Sequence, residues 1–436
     1  MKKIAIICLL FSFSVQAQIM SERERAALKD EILANRFNEL LPELMDENGI
    51  DMWVIIAREY NEDPVMRTML PATWLNARRR TILVFYRDKD LGTIEKLAVA
   101  RYDVGKNIQS AWNKEKQPDQ WQALVNIIEE RNPEKIGINT SSYFNIADGL
   151  VKTDYDAFKE ALPLELEQKL VSAEGLAIAW IETRTEKEME LYNTLVQITH
   201  DIIDEAFSTA VIEPGKTTTD DVVWWLRQKV TDLGLSTWFH PTIDAQRNEE
   251  ALKSHISSFS KGEANKVIFP GDLLHCDFGI TYIGLNTDCQ QHAYVPKQGE
   301  TAVPIYLVEA FKKGNRVQDI FTGNFAEGRS GNETLLNSLS EAKKEGLRPS
   351  IYTHPLGTYG HSAGTTFGMW DSQDGVPVNG DYPLHINTVY AIELNTTVFI
   401  EQWNRDIRIM LEEAGFFGPE GFRYVNQRQE RIKLVN

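Results

Sequence analysis

The sequence predicts two domains, first an α/β domain and then an α+β domain with a mostly antiparallel sheet. The chain has 436 residues, which is long enough for two or three domains of ordinary size. Helical and strand-like patterns alternate up to about residue 180, as they do in α/β domains. Beyond residue 239 the chain consists mainly of strand-like runs broken by proline, glycine and asparagine. We therefore expect a first domain over residues 18–180 and a second over residues 181–436.

The charge balance excludes several classes of partner. Lys and Arg number 46 and Asp and Glu number 63, so the formal net charge is −17. Binding to nucleic acid depends mainly on neutralising phosphates, and docking on anionic lipid needs basic clusters. The longest basic run is Arg78–Arg80. We therefore expect neither nucleic acid nor a lipid surface as a partner.

The first 17 residues have the pattern of a secretory signal peptide. Two lysines are followed by the apolar stretch Ile4–Val15 and by small residues before Gln18. The alternative, a membrane anchor, is disfavoured because a spanning helix needs about 20 apolar residues. We expect export, with the processed chain secreted or periplasmic and not bound to a membrane.

Apolar periodicity predicts the elements of the first domain in order. Residues 22–45 have apolar side chains at helical spacing, and short apolar runs indicate the strands. The expected elements are a helix over residues 22–45, strands Met52–Ala57, Thr81–Tyr86, Lys96–Ala100 and Ile136–Ile138, and helices Trp121–Glu129 and Tyr155–Ala161.

The second domain opens with a long amphipathic helix and has three more. Either Thr217 or Thr218 can cap the second helix, because an aspartate follows three residues after each of them. The expected helices are Glu186–Ala210, one ending near Leu233, one near Ile305–Arg316 and one near Glu333–Glu345. The strand-like runs between and after these helices carry the candidate catalytic and metal-binding residues.

Two aspartates, Asp277 and Asp288, lie on successive strand-like runs with apolar flanks. If they face each other across an antiparallel ladder, their carboxylates lie about 5 Å apart on one face. Two partly buried like charges at that distance repel strongly, and a divalent cation removes the repulsion. The alternative is a surface hairpin with scattered acids, which the apolar flanks disfavour. The pair therefore indicates a metal site.

Further candidate ligands follow along the chain. His354 and His361 stand seven residues apart, and neutral imidazole is a good ligand for Zn²⁺, Mn²⁺ or Co²⁺. Glu393 lies in an apolar strand, where an unpaired carboxylate costs several kcal/mol. Glu412 and Glu413 interrupt another apolar run, and adjacent strand residues point to opposite faces. Only one of these two glutamates can therefore face a site.

Two cysteines, Cys276 and Cys289, flank the aspartates. In the register that pairs the aspartates, the cysteines also pair, on the opposite face. They form either a cross-strand disulfide or, as the favoured alternative, two buried free thiols. Because they point away from the carboxylates, we do not expect them to bind the same metal.

The order Asp, Asp, His, Glu, Glu on successive strands resembles the M24 pita-bread metallopeptidase superfamily. Its most distinctive element is Asp-Phe-Gly followed by Thr-Asp, with the aspartates eleven residues apart. Residues 182–207 resemble the helix that opens the family's catalytic domain, and the α/β segment before it resembles the N-terminal domain of the creatinase/prolidase branch. The resemblance implies an α/β N-terminal domain and an α+β pita-bread catalytic domain with a curved, mostly antiparallel sheet.

The resemblance also assigns roles residue by residue. The implied metal ligands are Asp277, Asp288, His361, Glu393 and Glu412, with Asp288 and Glu412 bridging two ions. His361 is preferred to His354 because Gly360 precedes it and Gly364 follows it. Glu413 is the alternative to Glu412. His255 matches the family's substrate-side histidine.

The implied activity is hydrolysis of X-Pro peptide bonds by a hydroxide activated between two divalent ions, Mn²⁺ first, with Co²⁺ or Zn²⁺ as alternatives. Glu393 would transfer the proton, while His255 and His354 would hydrogen-bond the developing oxyanion. The implied substrates are proline-containing dipeptides or short peptides, and the implied assembly is a homodimer. Xaa-Pro dipeptidase is favoured over Xaa-Pro aminopeptidase. The alternatives are a non-prolyl metallohydrolase of the same fold and a catalytically silent metal- or peptide-binding protein.

Overall fold

The computed structural model describes residues 19–89, 91–248 and 266–436. The signal-like segment at residues 1–17 and the expected substrate-side histidine, His255, therefore lie outside the described residues. Within the described ranges, no helix is both long and apolar enough to cross a membrane.

A six-stranded sheet forms the centre of the first part of the chain. Its strands are β1 Met52–Arg58, β2 Arg80–Asp88, β3 Thr93–Ala98, β4 Gln109–Ser110, β5 Ile136–Ile138 and β6 Leu170–Ser172. They lie in the order β4-β3-β2-β1-β5-β6. The pairs β1–β2 and β2–β3 are antiparallel, and the other pairs are parallel. The sequence pattern predicts four of these strands, whereas β4 and β6 are too short to show an alternating pattern.

Helices cover both faces of this sheet. They are α1 Glu22–Asn35, α2 Leu41–Glu47, α3 Pro64–Met69, α4 Gln120–Arg131, α5 Lys152–Ala161, α6 Leu164–Glu167 and α7 Glu174–Glu182, with a π-helical turn at Arg36–Leu40. On β1, Trp53 packs into an apolar cluster with Trp180 on one face. Its neighbour Val54 packs into a second cluster with Phe158 on the other face. Because successive strand residues point to opposite faces, both faces are buried, as expected of an α/β domain.

Four long helices lie within the described residues of the second part of the chain. They are α8 Glu186–Ala206, α9 Thr219–Asp232, α10 Ile305–Gly323 and α11 Gly331–Lys344. Thr218, one of the two candidate caps, begins α9 in a capping box with Asp221. Helix α8 ends four residues before its expected end. There the hydroxyl of Ser208 donates to the carbonyl oxygen of Glu205 and competes with continued helix.

The second part contains thirteen described strands. They are β7 Thr242–Gln246, β8 Leu273–Phe278, β9 Thr281–Tyr282, β10 Leu285–Asn286, β11 Cys289–Tyr294, β12 Pro349–Ile351, β13 His354–Leu356, β14 Thr388–Ala391, β15 Leu394–Ile400, β16 Arg405–Leu411, β17 Ala414–Gly418, β18 Gly421–Tyr424 and β19 Lys433–Leu434. Three sheets have the orders β19-β11-β8-β7, β12-β15-β16 and β13-β14-β17-β18, beside the hairpin β9–β10. Only β11 and β19 pair in parallel among them, which confirms the predicted antiparallel sheet.

A buried ion cluster joins the two parts. Glu188, on α8, binds the guanidinium groups of Arg36 at 2.7 Å and Arg184 at 2.9 Å. Arg36 also donates to the carbonyl oxygen of Thr183 at 2.8 Å. All three charged side chains are buried, so the cluster depends on complete pairing to offset the cost of leaving water.

Replacing Glu188 by glutamine should therefore destabilise the protein strongly. The change leaves two buried guanidinium groups without a counter-charge, and we expect the free energy of unfolding to fall by about 3–5 kcal/mol. Denaturant unfolding measures this loss. Glu190→Gln on the same helix is the control, since Glu190 is exposed. Equal stability of the two variants would contradict a stabilising role for the cluster.

Candidate metal centre

Five candidate ligands lie at strand ends where the sheets of the second part meet. Asp277 is near the end of β8, Asp288 directly precedes β11, His354 begins β13, Glu393 lies between β14 and β15, and Glu412 lies between β16 and β17. The backbone N–H of Gln290, on β11, donates to the carbonyl oxygen of Glu412 at 3.0 Å and joins two of these ends. Strand ends thus bring together residues that are up to 135 positions apart in the sequence.

Three of these side chains converge on one point. Nε2 of His354 lies 3.8 Å from an oxygen of Asp288 and 3.7 Å from an oxygen of Glu412. One ligand atom from each of the three residues lies within 4.8 Å of the others, and all three residues are buried. This is the geometry of a group that can hold a metal ion.

The tautomer of His354 suits metal binding. Its Nδ1 donates to the carbonyl oxygen of Pro355 at 3.0 Å, so Nε2 carries the lone pair that faces the carboxylates. Burial, and after it the neighbouring His361, lowers the pKa of His354 to about 3. The imidazole is therefore neutral at physiological pH, which is the form that binds a metal.

Several polar atoms at this point lack a partner. Among the described residues, no hydrogen bond reaches Oδ1 of Asp277, Oδ1 of Asp288, Nε2 of His354 or Oε1 of Glu412, although all four atoms are buried. A buried polar atom without a partner costs about 1–3 kcal/mol. Oxygen and imidazole atoms left open in this way fit one or more divalent cations.

The electrostatics of the carboxyl groups lead to the same conclusion. Burial, and after it the repulsion of neighbouring carboxylates, raises the pKa values of Asp288 and Glu412 well above the usual range. Burial and Asp277 do the same to the pKa of Glu393. Without a cation this environment favours the protonated carboxyl groups, whereas divalent ions would favour the ionised form. The donor set therefore fits the metal site that the resemblance implies.

Gln290 is a site residue that the sequence reasoning missed. Its amide Nε2 donates to Glu393 at 2.5 Å and to Glu412 at 2.9 Å. Its Oε1 accepts from Nε2 of His275 at 2.9 Å. The side chain thereby fixes two of the carboxylates. Strand alternation could have indicated it, because Gln290 lies two residues after Asp288 and thus on the same face.

The structure does not bring His361 into the group of ligand atoms. Its ring lies edge-on to His354, with ring centres 4.5 Å apart, and contacts Trp238 at 5.2 Å. His361 is exposed, whereas His354 is buried next to Asp288 and Glu412. In this structure His354, and not the preferred His361, therefore lies in the group of potential ligand atoms. Gly360, which precedes His361, instead admits the ring of Trp238.

Strand alternation separates the two neighbouring glutamates. Glu412 faces His354 and Gln290. Glu413 points away and accepts from His200 at 2.8 Å and from Gln291 at 3.0 Å. Glu412 is therefore the glutamate at the site, as the sequence resemblance preferred.

The predicted pairing of Asp277 with Asp288 is wrong in register. Asp277 pairs with Gln290, and Asp288 lies just outside the ladder. The β9–β10 hairpin between the two strands sets this register, which differs from the expected one by two residues. Because the side-chain period of a strand is two, the shift leaves both aspartates on the same face.

The same shift separates the cysteines. Cys276 pairs with Gln291 and Cys289 with Phe278, so the two thiols do not face each other. Both are free and buried, which confirms the favoured alternative and excludes the cross-strand disulfide from this structure.

Comparison of the sequence with protein families identifies one match. Residues 190–414 match the family model Peptidase_M24, described as metallopeptidase family M24. This range contains all five residues at the site and Gln290. No curated protein matches the sequence.

Solved structures share the fold over nearly the whole chain. The X-Pro aminopeptidase from Thermotoga maritima MSB8 has a TM-score of 0.62 at 15% identity and covers 90% of this chain and 100% of its own. The Xaa-Pro dipeptidase from Bacillus anthracis has a TM-score of 0.55 at 16% identity and covers 95% and 100%. The N-terminal domain of FACT complex subunit SPT16 from Cicer arietinum (chickpea) has a TM-score of 0.56 at 11% identity and covers 93% and 99%. At such identities the likeness shows the fold, including its N-terminal part.

Proposed function

The chain belongs to metallopeptidase family M24, and we propose that it hydrolyses X-Pro peptide bonds as an Xaa-Pro dipeptidase. The observation that carries the proposal is the convergence of Asp288, His354 and Glu412 with open ligand atoms. Structures of the same fold include an X-Pro aminopeptidase and an Xaa-Pro dipeptidase, which agrees with the proposed type of bond. The family resemblance found in the sequence is confirmed, while the bond specificity is our proposal.

Two divalent metal ions per chain are part of this proposal, with Mn²⁺ as the first candidate. Asp288, His354, Glu393 and Glu412 would hold one ion, and Asp277, Asp288 and Glu412 would hold the other. Such a pair of ions, when bound, lowers the pKa of a shared water molecule and polarises the carbonyl group under attack. His354 takes the ligand role that the resemblance gave to His361.

The protein's own side chains orient the site and move protons. Gln290 fixes the carboxylates of Glu393 and Glu412 through its amide. Glu393 is the proposed proton carrier from the attacking water to the leaving nitrogen. His361 is exposed beside His354 and can donate a hydrogen bond to the oxyanion that develops on the substrate. The same role for His255, outside the described residues, stays a prediction, as do export and the homodimer.

Hydrolysis of three short peptides tests the proposal. With Mn²⁺ the protein should cleave Ala-Pro to alanine and proline, and chelation should remove this activity. The tripeptide Ala-Pro-Gly distinguishes the two activities, because an Xaa-Pro aminopeptidase cleaves it and a dipeptidase does not. Ala-Ala is the control without proline. We expect a preference for Ala-Pro over Ala-Ala of at least about tenfold in kcat/KM. Equal cleavage of both dipeptides would contradict prolyl specificity and favour a non-prolyl metallohydrolase.

A catalytically silent metal- or peptide-binding protein is the second candidate. The amide of Gln290 favours it, because that group satisfies two carboxylate oxygens that a metal would otherwise contact. The fold also occurs in a domain of the FACT complex subunit SPT16. Two bound ions without cleavage of any of the three peptides would support this candidate and contradict the peptidase proposal.

A further inference from the structure

A second cluster of potential metal ligands lies on the other face of the same strands. It consists of His200 on α8, Cys289 at the start of β11 and Glu413 before β17. All three side chains are buried, and one ligand atom from each lies within 4.8 Å of the others. Nε2 of His200 lies 2.8 Å and Sγ of Cys289 lies 3.7 Å from the same oxygen of Glu413.

We propose that this cluster is a separate mononuclear site for Zn²⁺ or a chemically similar ion such as Co²⁺. Imidazole nitrogen, thiolate sulfur and carboxylate oxygen are the three ligand types that zinc uses. Bond lengths of about 2.0–2.3 Å place tetrahedral ligand atoms about 3.3–3.7 Å apart. Of the two separations, 3.7 Å lies in this range, and 2.8 Å requires a small movement of His200 away from Glu413.

A buried amide oxygen supplies an independent indication of a ligand. The Nε2 of Gln291 donates to the second oxygen of Glu413 at 3.0 Å and fixes this carboxylate. Its Oε1 is buried and has no hydrogen-bond partner among the described residues. A cavity of about 790 Å³ is lined by Gln291 and His200 together with residues of the C-terminal segment. The cavity gives an ion a route to the cluster, and either Oε1 or a water molecule can complete the coordination.

Binding changes the protonation of two ligands. The thiol proton of Cys289 leaves to solvent as sulfur binds the metal, and the proton on Nε2 of His200 gives way to the Nδ1 tautomer. Cys289 points away from the carboxylates of the dinuclear centre, as strand alternation predicts. It points instead towards the carboxylate of Glu413, and the sequence alone did not predict this contact. The site would join α8 to the two strand ends that carry Asp288 and Glu412.

Cobalt spectroscopy tests this site without any need for turnover. The reduced, metal-stripped full chain is titrated with Co²⁺ alone. We expect a thiolate-to-cobalt charge-transfer band in the near ultraviolet whose final intensity corresponds to one thiolate-bound Co²⁺ per chain. The dinuclear centre contains only oxygen and nitrogen ligands, so it cannot produce this band. The band should persist in Asp288→Asn, which separates this proposal from the proposed peptidase function.

Variants of the two cysteines supply a matched comparison. Cys289→Ser should lose the band, whereas Cys276→Ser, at the other buried thiol on the neighbouring strand, should keep it. His200→Gln, which leaves the thiol in place, should weaken Co²⁺ binding at the site by at least the 10–100-fold known for loss of supporting groups. Absence of the band in the wild-type protein would overturn the proposal. Its survival in Cys289→Ser or its loss in Cys276→Ser would also overturn it.

Discussion

Replacing Asp288 by asparagine is expected to remove metal binding at the dinuclear centre and to reduce peptide hydrolysis at least a hundredfold. Asp288 is buried, lies 3.8 Å from Nε2 of His354 and has an oxygen without a partner among the described residues. As the proposed bridge, Asp288 contributes to the binding of both ions. Its replacement by a neutral amide should therefore weaken the binding of both. A hundredfold loss in kcat/KM corresponds to about 2.7 kcal/mol of transition-state stabilisation.

Metal content and thermal stability together distinguish ligand loss from misfolding. After dialysis from Mn²⁺, analysis for manganese should give two Mn²⁺ ions per chain for the wild type and fewer than one for Asp288→Asn. Mn²⁺ should raise the Tm of the wild type, because a ligand that binds only the folded state stabilises it, and should leave the Tm of the variant unchanged. Without metal the variant should be at least as stable as the wild type, since it lacks one of several crowded carboxyl groups.

Asp374→Asn is the matched control, because Asp374 is exposed in the same part of the chain. It should retain metal, the Mn²⁺-dependent rise in Tm and activity. Two bound ions and full activity in Asp288→Asn would contradict the bridging role of Asp288 and with it the proposed centre.

The acidic candidate ligands could be identified from the sequence because they reflect chemistry along the strands. Buried acidic residues in apolar runs need a partner, and Asp277, Asp288, Glu393 and Glu412 each meet this condition. The choice of Glu412 over Glu413 could be argued only by resemblance. An argument from the residues alone would need to know which face of the strand meets Asp288, and that face depends on the pairing of distant strands.

The register and the relative placement of the two histidines could not be predicted, because both depend on geometry between distant residues. The β9–β10 hairpin shifts the partner of Asp277 from Asp288 to Gln290, and no local pattern encodes this shift. Because side chains alternate along a strand with a period of two, the two aspartates still share one face although the expected register was wrong. In the same way, the local glycines favoured His361 as the ligand, whereas the structure places Nε2 of His354 near Asp288 and Glu412.

The two histidines give the second large expected effect, a separation of metal binding from turnover. His354→Ala should lose metal affinity and activity together, because Nε2 of His354 is the nitrogen that faces Asp288 and Glu412. His361→Ala should keep the metal content of the wild type. Its kcat should still fall about 10–100-fold, because a group that supports the site and faces the substrate is removed.

Titration of each variant with Mn²⁺, followed by kinetics on Ala-Pro at saturating metal, measures both effects. Added Mn²⁺ should restore activity in part to His354→Ala, by mass action on a weakened site, and should not restore it to His361→Ala. His361→Gln is the informative companion, since its amide can still donate a hydrogen bond and should recover part of kcat. If His361→Ala lost the metal while His354→Ala retained it, the assignment would reverse, and His361 would be the ligand that the local glycine pattern first favoured.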